Sequence, residues 1–277
     1  MNWALAGNRS VVQRLLQLGF AAAVLAALAG CAAHSGSELP SAGTDITTES
    51  DLTPARKLAQ IRLDLAVDYY KRGQTKVALD EVKRALVADP NFAEAYNMRG
   101  LIYMRLEDYP LADDSFRRAL ALKPRDGAIL HNYGWMLCQQ KHFARADEQF
   151  QKALAIPSYG DRAKTLKAQG VCQLQAGEKK QAEATLARAY EFDAGDPVVG
   201  YNLAELMFER NDLKRAQFYI GRINNTELAN AQSLWLGIRI DRRLGDRTAM
   251  ARLGDQLQQK FPDSPEATAY QQGRFDE

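Results

Sequence analysis

Apolar and polar positions alternate along this chain with the period of a helix, in blocks that end at turn residues and then begin again. The first block carries Leu63, Leu65, Ala66, Val67, Tyr69 and Tyr70, and breaks at Lys71-Arg72-Gly73-Gln74. A second carries Val77, Ala78, Val82, Ala85 and Leu86, and stops at Asp89-Pro90-Asn91. The same pair of blocks then recurs. Small residues stand at Ala66, Gly100, Gly134, Gly170, Ala204 and Gly237, at steps of 34, 34, 36, 34 and 33 residues. A second ladder, Ala78, Ala112, Ala146, Ala182, Ala216 and Ala249, follows twelve residues behind with the same steps. One helix pair copied six times is predicted, at about 59–92, 93–126, 127–162, 163–196, 197–229 and 230–263. The long third step falls on Pro157-Ser158-Tyr159-Gly160, a longer loop. Residues 264–277 are polar and either cap the last pair or fray.

The recurring Leu/Tyr, Gly, Tyr, Ala, Phe, Ala and Pro within 34 residues resemble the tetratricopeptide repeat, clearest in Tyr96, Gly100, Tyr103, Ala112, Phe116, Ala119 and Pro124. The resemblance implies an all-α, right-handed superhelical solenoid of six helix-turn-helix units. Gly100 lets the second helix approach, Ala112 relieves crowding across the crossing, and Tyr103 and Phe116 fill the space around it. A helical glycine costs ~1 kcal/mol against alanine, so its recurrence argues that packing offsets the cost. The pattern weakens toward the C-terminus. Ile223 and Gln256 stand where a second-helix alanine is expected.

The amino-terminal residues follow another pattern. Arg9 and Arg14 precede an apolar run, Leu15 to Ala29, too short and alanine-rich for a comfortable membrane span. Leu28-Ala29-Gly30-Cys31 resembles the lipobox of bacterial lipoproteins. That resemblance implies removal of residues 1–30 and lipidation of Cys31, and Ala32 after the cysteine implies the outer membrane of a Gram-negative bacterium. Several acyl chains anchor far better than one, at ~0.8 kcal/mol per buried methylene. Residues 31–54 are then a lipidated start and a polar, flexible tether to a repeat domain over 55–263.

Charge narrows the partners. The chain has 36 Lys plus Arg against 34 Asp plus Glu, and removing Arg9 and Arg14 makes the signs equal. Nothing in that balance points to nucleic acid. Cys138 and Cys172 sit inside the repeats and read as small buried residues; the sequence leaves open whether they pair. His34, His131 and His142 have no Cys, Asp or Glu at metal-ligand spacing, and no serine motif or phosphate-cradling loop occurs. A non-enzymatic binding protein without metal or cofactor, apart from covalent lipid on Cys31, is expected. His131 reads as a groove or surface residue.

In tetratricopeptide domains fixed first-helix positions line an inner groove. Carried onto this register they select Leu63, Val67 and Tyr70, then Asn97, Leu101 and Met104, then His131 and Trp135, with Lys167, Val171, Tyr201, Glu205, Phe208, Leu234 and Ile238 further on. The early members form a mostly apolar stripe suited to an apolar or amphipathic segment of another protein. A register shifted by one would instead make them core.

The run from Leu58 to Pro124 and His131-Asn132-Tyr133-Gly134-Trp135, behind a lipobox and tether, resemble the type IV pilus biogenesis/stability lipoproteins, the PilW/PilF-type pilotins. The resemblance implies a lipoprotein that binds secretin subunits, brings them to the outer membrane and promotes their assembly. A competing reading is an adaptor lipoprotein for β-barrel assembly or peptidoglycan enzymes. A hydrolase with accessory repeats is disfavoured because the repeats take up the chain after the tether. The anchor is testable by itself: Cys31→Ser is expected to leave the protein soluble or unprocessed on cell fractionation, and normal outer-membrane recovery would refute lipidation there.

Overall fold

The computed structural model describes residues 51–275, so the signal segment, Cys31 and most of the tether lie outside it. Among the described residues there are thirteen helices and no strand. Six pairs follow one another: α1 (Pro54–Lys71) with α2 (Thr75–Ala88), α3 (Ala93–Arg105) with α4 (Tyr109–Leu122), α5 (Gly127–Gln139) with α6 (Phe143–Leu154), α7 (Arg162–Gln175) with α8 (Lys179–Phe192), α9 (Pro197–Glu209) with α10 (Leu213–Asn224), and α11 (Ala231–Leu244) with α12 (Arg247–Lys260). A short α13 (Pro265–Gln271) closes the series. Each helix packs chiefly on its partner, and each first helix also touches the first helix of the next pair. Successive second helices do not pack to that extent. The first helices therefore crowd onto an inner face and the second helices splay along an outer one. That asymmetry curves the stack into the right-handed superhelical solenoid.

The small-residue ladder works by volume matching. A Cβ on Gly100 would sit 2.7 Å from the Phe116 ring, on Gly134 2.9 Å from Phe150, on Gly170 2.6 Å from Leu186 and on Gly237 2.8 Å from Leu253. Each large residue lies sixteen places after its glycine. Where the ladder residue is alanine, at Ala66 and Ala204, the residue sixteen places on is the shorter, β-branched Val82 or Ile220. Glycine thus faces Phe or Leu, and alanine faces Val or Ile, so the summed volume at each crossing stays nearly constant. Phe116 and Phe150 are fully buried, and each such side chain contributes ~1.5–3 kcal/mol.

A second exchange explains Ile223. In the middle repeats a large first-helix residue (Tyr96, Leu130 or Leu166) accompanies Ala119, Ala153 or Ala189 on the second helix. In the fifth repeat the sizes invert. Gly200 takes the first-helix place, and a Cβ there would lie 3.2 Å from Ile223 Cδ1. In the sixth repeat the corresponding residues are Ser233 and Gln256, linked through Asn224, which donates to the Ser233 carbonyl and accepts from Gln256. The departures from the pattern are compensated substitutions within one register.

Helix ends follow local chemistry. Asp108, Asp126, Asp196, Asp212 and Asp246 each accept a backbone N–H of the helix they begin. Each turn within a pair holds one residue with positive φ: Gly73, Glu107, Lys141, Gly177, Asn211 and Gly245. Glycine takes that conformation without the ~1–2 kcal/mol that a Cβ adds.

Two sequence expectations are corrected and two open ones are decided. Helix α1 begins five residues before Ala59, because Thr53 caps it, Pro54 opens it, and Arg56 pairs with Asp89 and stacks on Phe92 at 4.5 Å. Ala249, alone in its ladder, is only half-buried, since just the short α13 follows α12. Cys138 and Cys172 are joined as a disulfide between α5 and α7, Cα to Cα 5.8 Å. On a chain-entropy account, closing that 34-residue loop contributes about 3.5–4 kcal/mol. The polar end is not frayed throughout: Ser264 caps α13, whose Ala267 is fully buried.

Volume matching gives a test. Gly100→Leu is expected to destabilise the N-terminal repeats by roughly 3 kcal/mol or more. Gly100→Ala should cost less, and adding Phe116→Val, which reproduces the Ala66–Val82 pairing, should recover part of that loss. Thermal or urea unfolding of the four proteins reads the cycle; simple additivity would refute the pairing.

Candidate functional site: the inner face of the first helices

Most residues selected as groove-lining share the inner face. Val67, Tyr70, Asn97, Leu101, Met104 and Trp135 are half-buried, each presenting an edge to solvent. Val67 and Tyr70 rest on the first core cluster, Met104 and Trp135 on the second, and Leu101 on both. The stripe is thus continuous across the first three repeats. Leu63 is an exception. It is only 7% exposed, packed among Ala59, Ala66, Ala78 and Val82, and is a core residue rather than a contact residue. Its place on α1 turns it toward α2 of the same pair, into the cluster with Ala78 and Val82.

The sides of the stripe are polar and already organised. Arg105 lies over the Tyr70 ring at 3.4 Å and donates to the Tyr70 carbonyl, tying the first two repeats together. Asn132 Nδ2 donates to Asn97 Oδ1 at 3.1 Å. Farther along, His131, Asn132 and Trp135 of α5 face Lys164, Lys167, Ala168 and Val171 of α7 across a cavity of about 430 Å³, with Val198 of α9 at its end. Lys167 bonds Asp196 at 2.6 Å.

His131 is not a surface residue. It is 6% exposed, with Nδ1 2.9 Å from Thr165 Oγ1, which also lies 2.8 Å from the Tyr159 hydroxyl. Tyr159 comes from the long loop. Its ring fills the space over Gly127, where a Cβ would lie 2.4 Å away. The two-residue extension therefore delivers a tyrosine that braces the floor of the cavity. Burial lowers the His131 pKa to about 4, with Lys164 acting in the same direction and Asp161 opposing. On α5, Tyr133 donates to Asp113 at 2.7 Å and accepts from Arg145 at 2.9 Å. Burial first, then the Asp113 bond, pushes its pKa up to about 12.

The inner face closes at its far end. Leu234 and Ile238 of α11, selected as groove residues, are fully buried, clustered with Ala267 of α13 while Tyr270 and Phe275 pack against the group. Phe275 stacks on Trp235 at 5.6 Å. Phe208 of α9 is likewise 9% exposed, beneath Arg239 and Arg243. Burial and the neighbouring Glu209 raise the pKa of Glu205 beside it.

Sequence reasoning missed one surface. Leu58, Ile61 and Leu65 of α1 are 48%, 58% and 38% exposed along one helix edge. The corresponding residues of the second repeat for the first two, Phe92 and Ala95, are buried under the preceding pair. The signal was available: a first repeat has no preceding helix pair to cover this row.

No three His, Cys, Asp or Glu side chains are grouped to hold a metal among the described residues, and no helix there is long and apolar enough to cross a membrane. The arrangement offers surfaces, hydrogen bonds and one apolar cavity.

Six volume-matched helix pairs with an inner face of half-exposed apolar side chains define a tetratricopeptide-repeat protein. The tetratricopeptide model matches residues 63–127 and 98–161. The chain is 30% identical over 209 residues to the type IV pilus assembly protein PilF of Pseudomonas aeruginosa, spanning 76% of this chain and 83% of that protein. A solved structure of Pseudomonas aeruginosa PilF superposes with a TM-score of 0.72 at 27% identity, covering 80% of this chain and all of that one. PilW, described as a widely conserved type IV pilus biogenesis factor, gives 0.69 at 31% identity, covering 77% and 98%. The chain belongs to this PilF/PilW family of tetratricopeptide proteins of type IV pilus biogenesis.

The buried histidine makes stability depend on pH. Its folded pKa lies below the unfolded value of about 6.5, so the unfolded chain binds the proton more readily. The neutral form's contribution is complete above pH 6.5 and is lost as pH falls toward 4. From pH 8 to pH 4.5 the native protein should lose roughly 2.5 kcal/mol more than His131→Gln, measured by urea unfolding. Parallel pH profiles would refute this assignment.

Proposed function

We propose that this protein is an outer-membrane lipoprotein pilotin. It holds secretin subunits on the inner face of its first repeats and promotes their localisation and multimerisation for type IV pilus biogenesis. The observation that carries the reading is the continuous half-exposed stripe of Val67, Leu101, Met104 and Trp135 in a protein of this family. Such a surface suits an amphipathic segment laid across successive first helices. The disulfide between Cys138 and Cys172 supports an oxidising compartment such as the periplasm. Anchorage by lipid on Cys31 would supply the membrane address and the stripe would supply recognition.

The exposed row Leu58, Ile61 and Leu65 favours a second docking position for the same client, on the open end of the solenoid. Single variants separate the two. Val67→Asp or Leu101→Asp is expected to abolish secretin pull-down and outer-membrane secretin multimers while thermal unfolding changes little; Ile61→Asp then leaves both intact. Loss with Ile61→Asp alone would move the contact to the solenoid end. Retention in all three would refute the secretin-binding surface. Leu63→Asp is unsuitable, because it buries a charge in the core.

A further inference from the structure

The outer face carries a second ladder with a different logic. One exposed basic residue stands at the same place on five successive second helices: Arg84, Arg118, Lys152, Arg188 and Arg222. In the first three repeats an acid sits four residues earlier, at Asp80, Asp114 and Glu148. There Arg84 bonds Asp80 at 2.8 Å and Lys152 bonds Glu148 at 2.7 Å, while Asp114 bonds Arg99 at 2.8 Å and Arg118 lies over the Tyr96 ring at 5.8 Å without an ion pair. This half of the outer face is charge-balanced, as ordinary solvated helix surface is.

In the fourth and fifth repeats the acid is gone. Ala184 and Phe218 replace it, and neither Arg188 nor Arg222 has a carboxylate within ion-pair distance among the described residues. Phenylalanines take the neighbouring places. Phe192 follows Arg188 by one helical turn on α8 and is 57% exposed; Phe218 precedes Arg222 by one turn on α10 and is 56% exposed. The Phe218 ring is held edge-on to Tyr219 at 5.3 Å, and Tyr219 edge-on to Tyr190 at 5.1 Å. The Tyr190 hydroxyl is buried without a hydrogen-bond partner, and the Arg222 cation acts on it. The nearby acids Glu183 and Asp212 are occupied by Arg210 and Arg215, and the exposed Glu191, three residues after Arg188, forms no ion pair with it.

Arginine and aromatic side chains are enriched in protein interface cores. The aromatic network fixes the Phe218 ring in advance, so little of its side-chain entropy is lost on contact. Two uncompensated guanidiniums call for carboxylates, and two exposed phenyl rings call for apolar anchors between them. We propose that Arg188, Phe192, Phe218 and Arg222 form a second docking surface, on the outer face of α8 and α10, for an acidic protein segment carrying apolar side chains. Because the pilotin reading uses the inner face of the first repeats, the two surfaces can be occupied at once, and this one stands independently of that reading.

The test uses the full chain in cells of its host. The photo-cross-linker p-benzoylphenylalanine is placed at position 218 in place of Phe218, and the cross-linked segment is mapped by mass spectrometry. The expected result is a protein segment of net negative charge that contains aliphatic or aromatic residues. Its yield should fall at least tenfold in an Arg188→Glu/Arg222→Glu background with an unchanged melting temperature. Reversing the mapped acids to lysine should restore the cross-link to that background. Cross-linking to phospholipid, to a neutral or basic segment, or with a yield indifferent to the charge reversal would overturn the proposal, as would no cross-link at all.

Discussion

Everything in this solenoid depends on how closely the two helices of a pair can approach. At Gly100 or Gly170 the missing Cβ is the space occupied by the Phe116 ring or the Leu186 side chain. The helices cannot move apart to admit more volume without opening the contacts on their other sides. Where Ala66 or Ala204 takes the glycine place, the opposing residue shortens to Val82 or Ile220. One constraint, nearly constant volume at the crossing, thus sets the spacing of all six pairs. That uniform spacing makes the first helices touch in series and form a continuous inner face. Interiors packed to crystal-like density permit such substitutions only in compensated pairs.

The same geometry distributes function. Crowding brings side chains from neighbouring first helices within reach of one another, as Arg105 reaches Tyr70 and Asn132 reaches Asn97. The groove is therefore a built surface whose polar rim is already satisfied. Its far end is filled by α13 and Phe275 over Leu234 and Ile238, so the open stretch lies in the earlier repeats. Splaying on the outer side leaves second-helix residues in separate rows facing solvent. There the difference between Asp80–Arg84 and Phe218–Arg222 changes surface chemistry without touching the core.

Much of this was legible in the sequence. The ladders set the number of pairs, their register and the positions that line the inner face, because 3.6-residue periodicity and a fixed repeat length leave few ways to pack. Val67, Leu101, Met104 and Trp135 were identified on that basis. Leu63 was placed wrongly, since a register gives a direction along the helix but not the depth to which the core closes over it. The Cys138–Cys172 bond was undecided because pairing depends on the approach of α5 and α7 across the long loop. His131 read as a groove or surface residue; it does line the inner-face cavity, but nothing local shows that it is buried there against Thr165, which Tyr159 braces.

The sequence by itself determined the class of fold, its six-fold repetition and the apolar character of the early inner face. Those follow from local spacing, which a single chain displays directly. Only the tertiary structure decided which inner residues are contact surface and which are core, that one cavity is braced by a tyrosine from an inserted loop, and that Arg188 and Arg222 of the outer face have no carboxylate within ion-pair distance among the described residues. Each of these depends on side chains far apart in the chain meeting at fixed distances. That meeting is settled by the packing of neighbouring pairs rather than by any pattern within one of them.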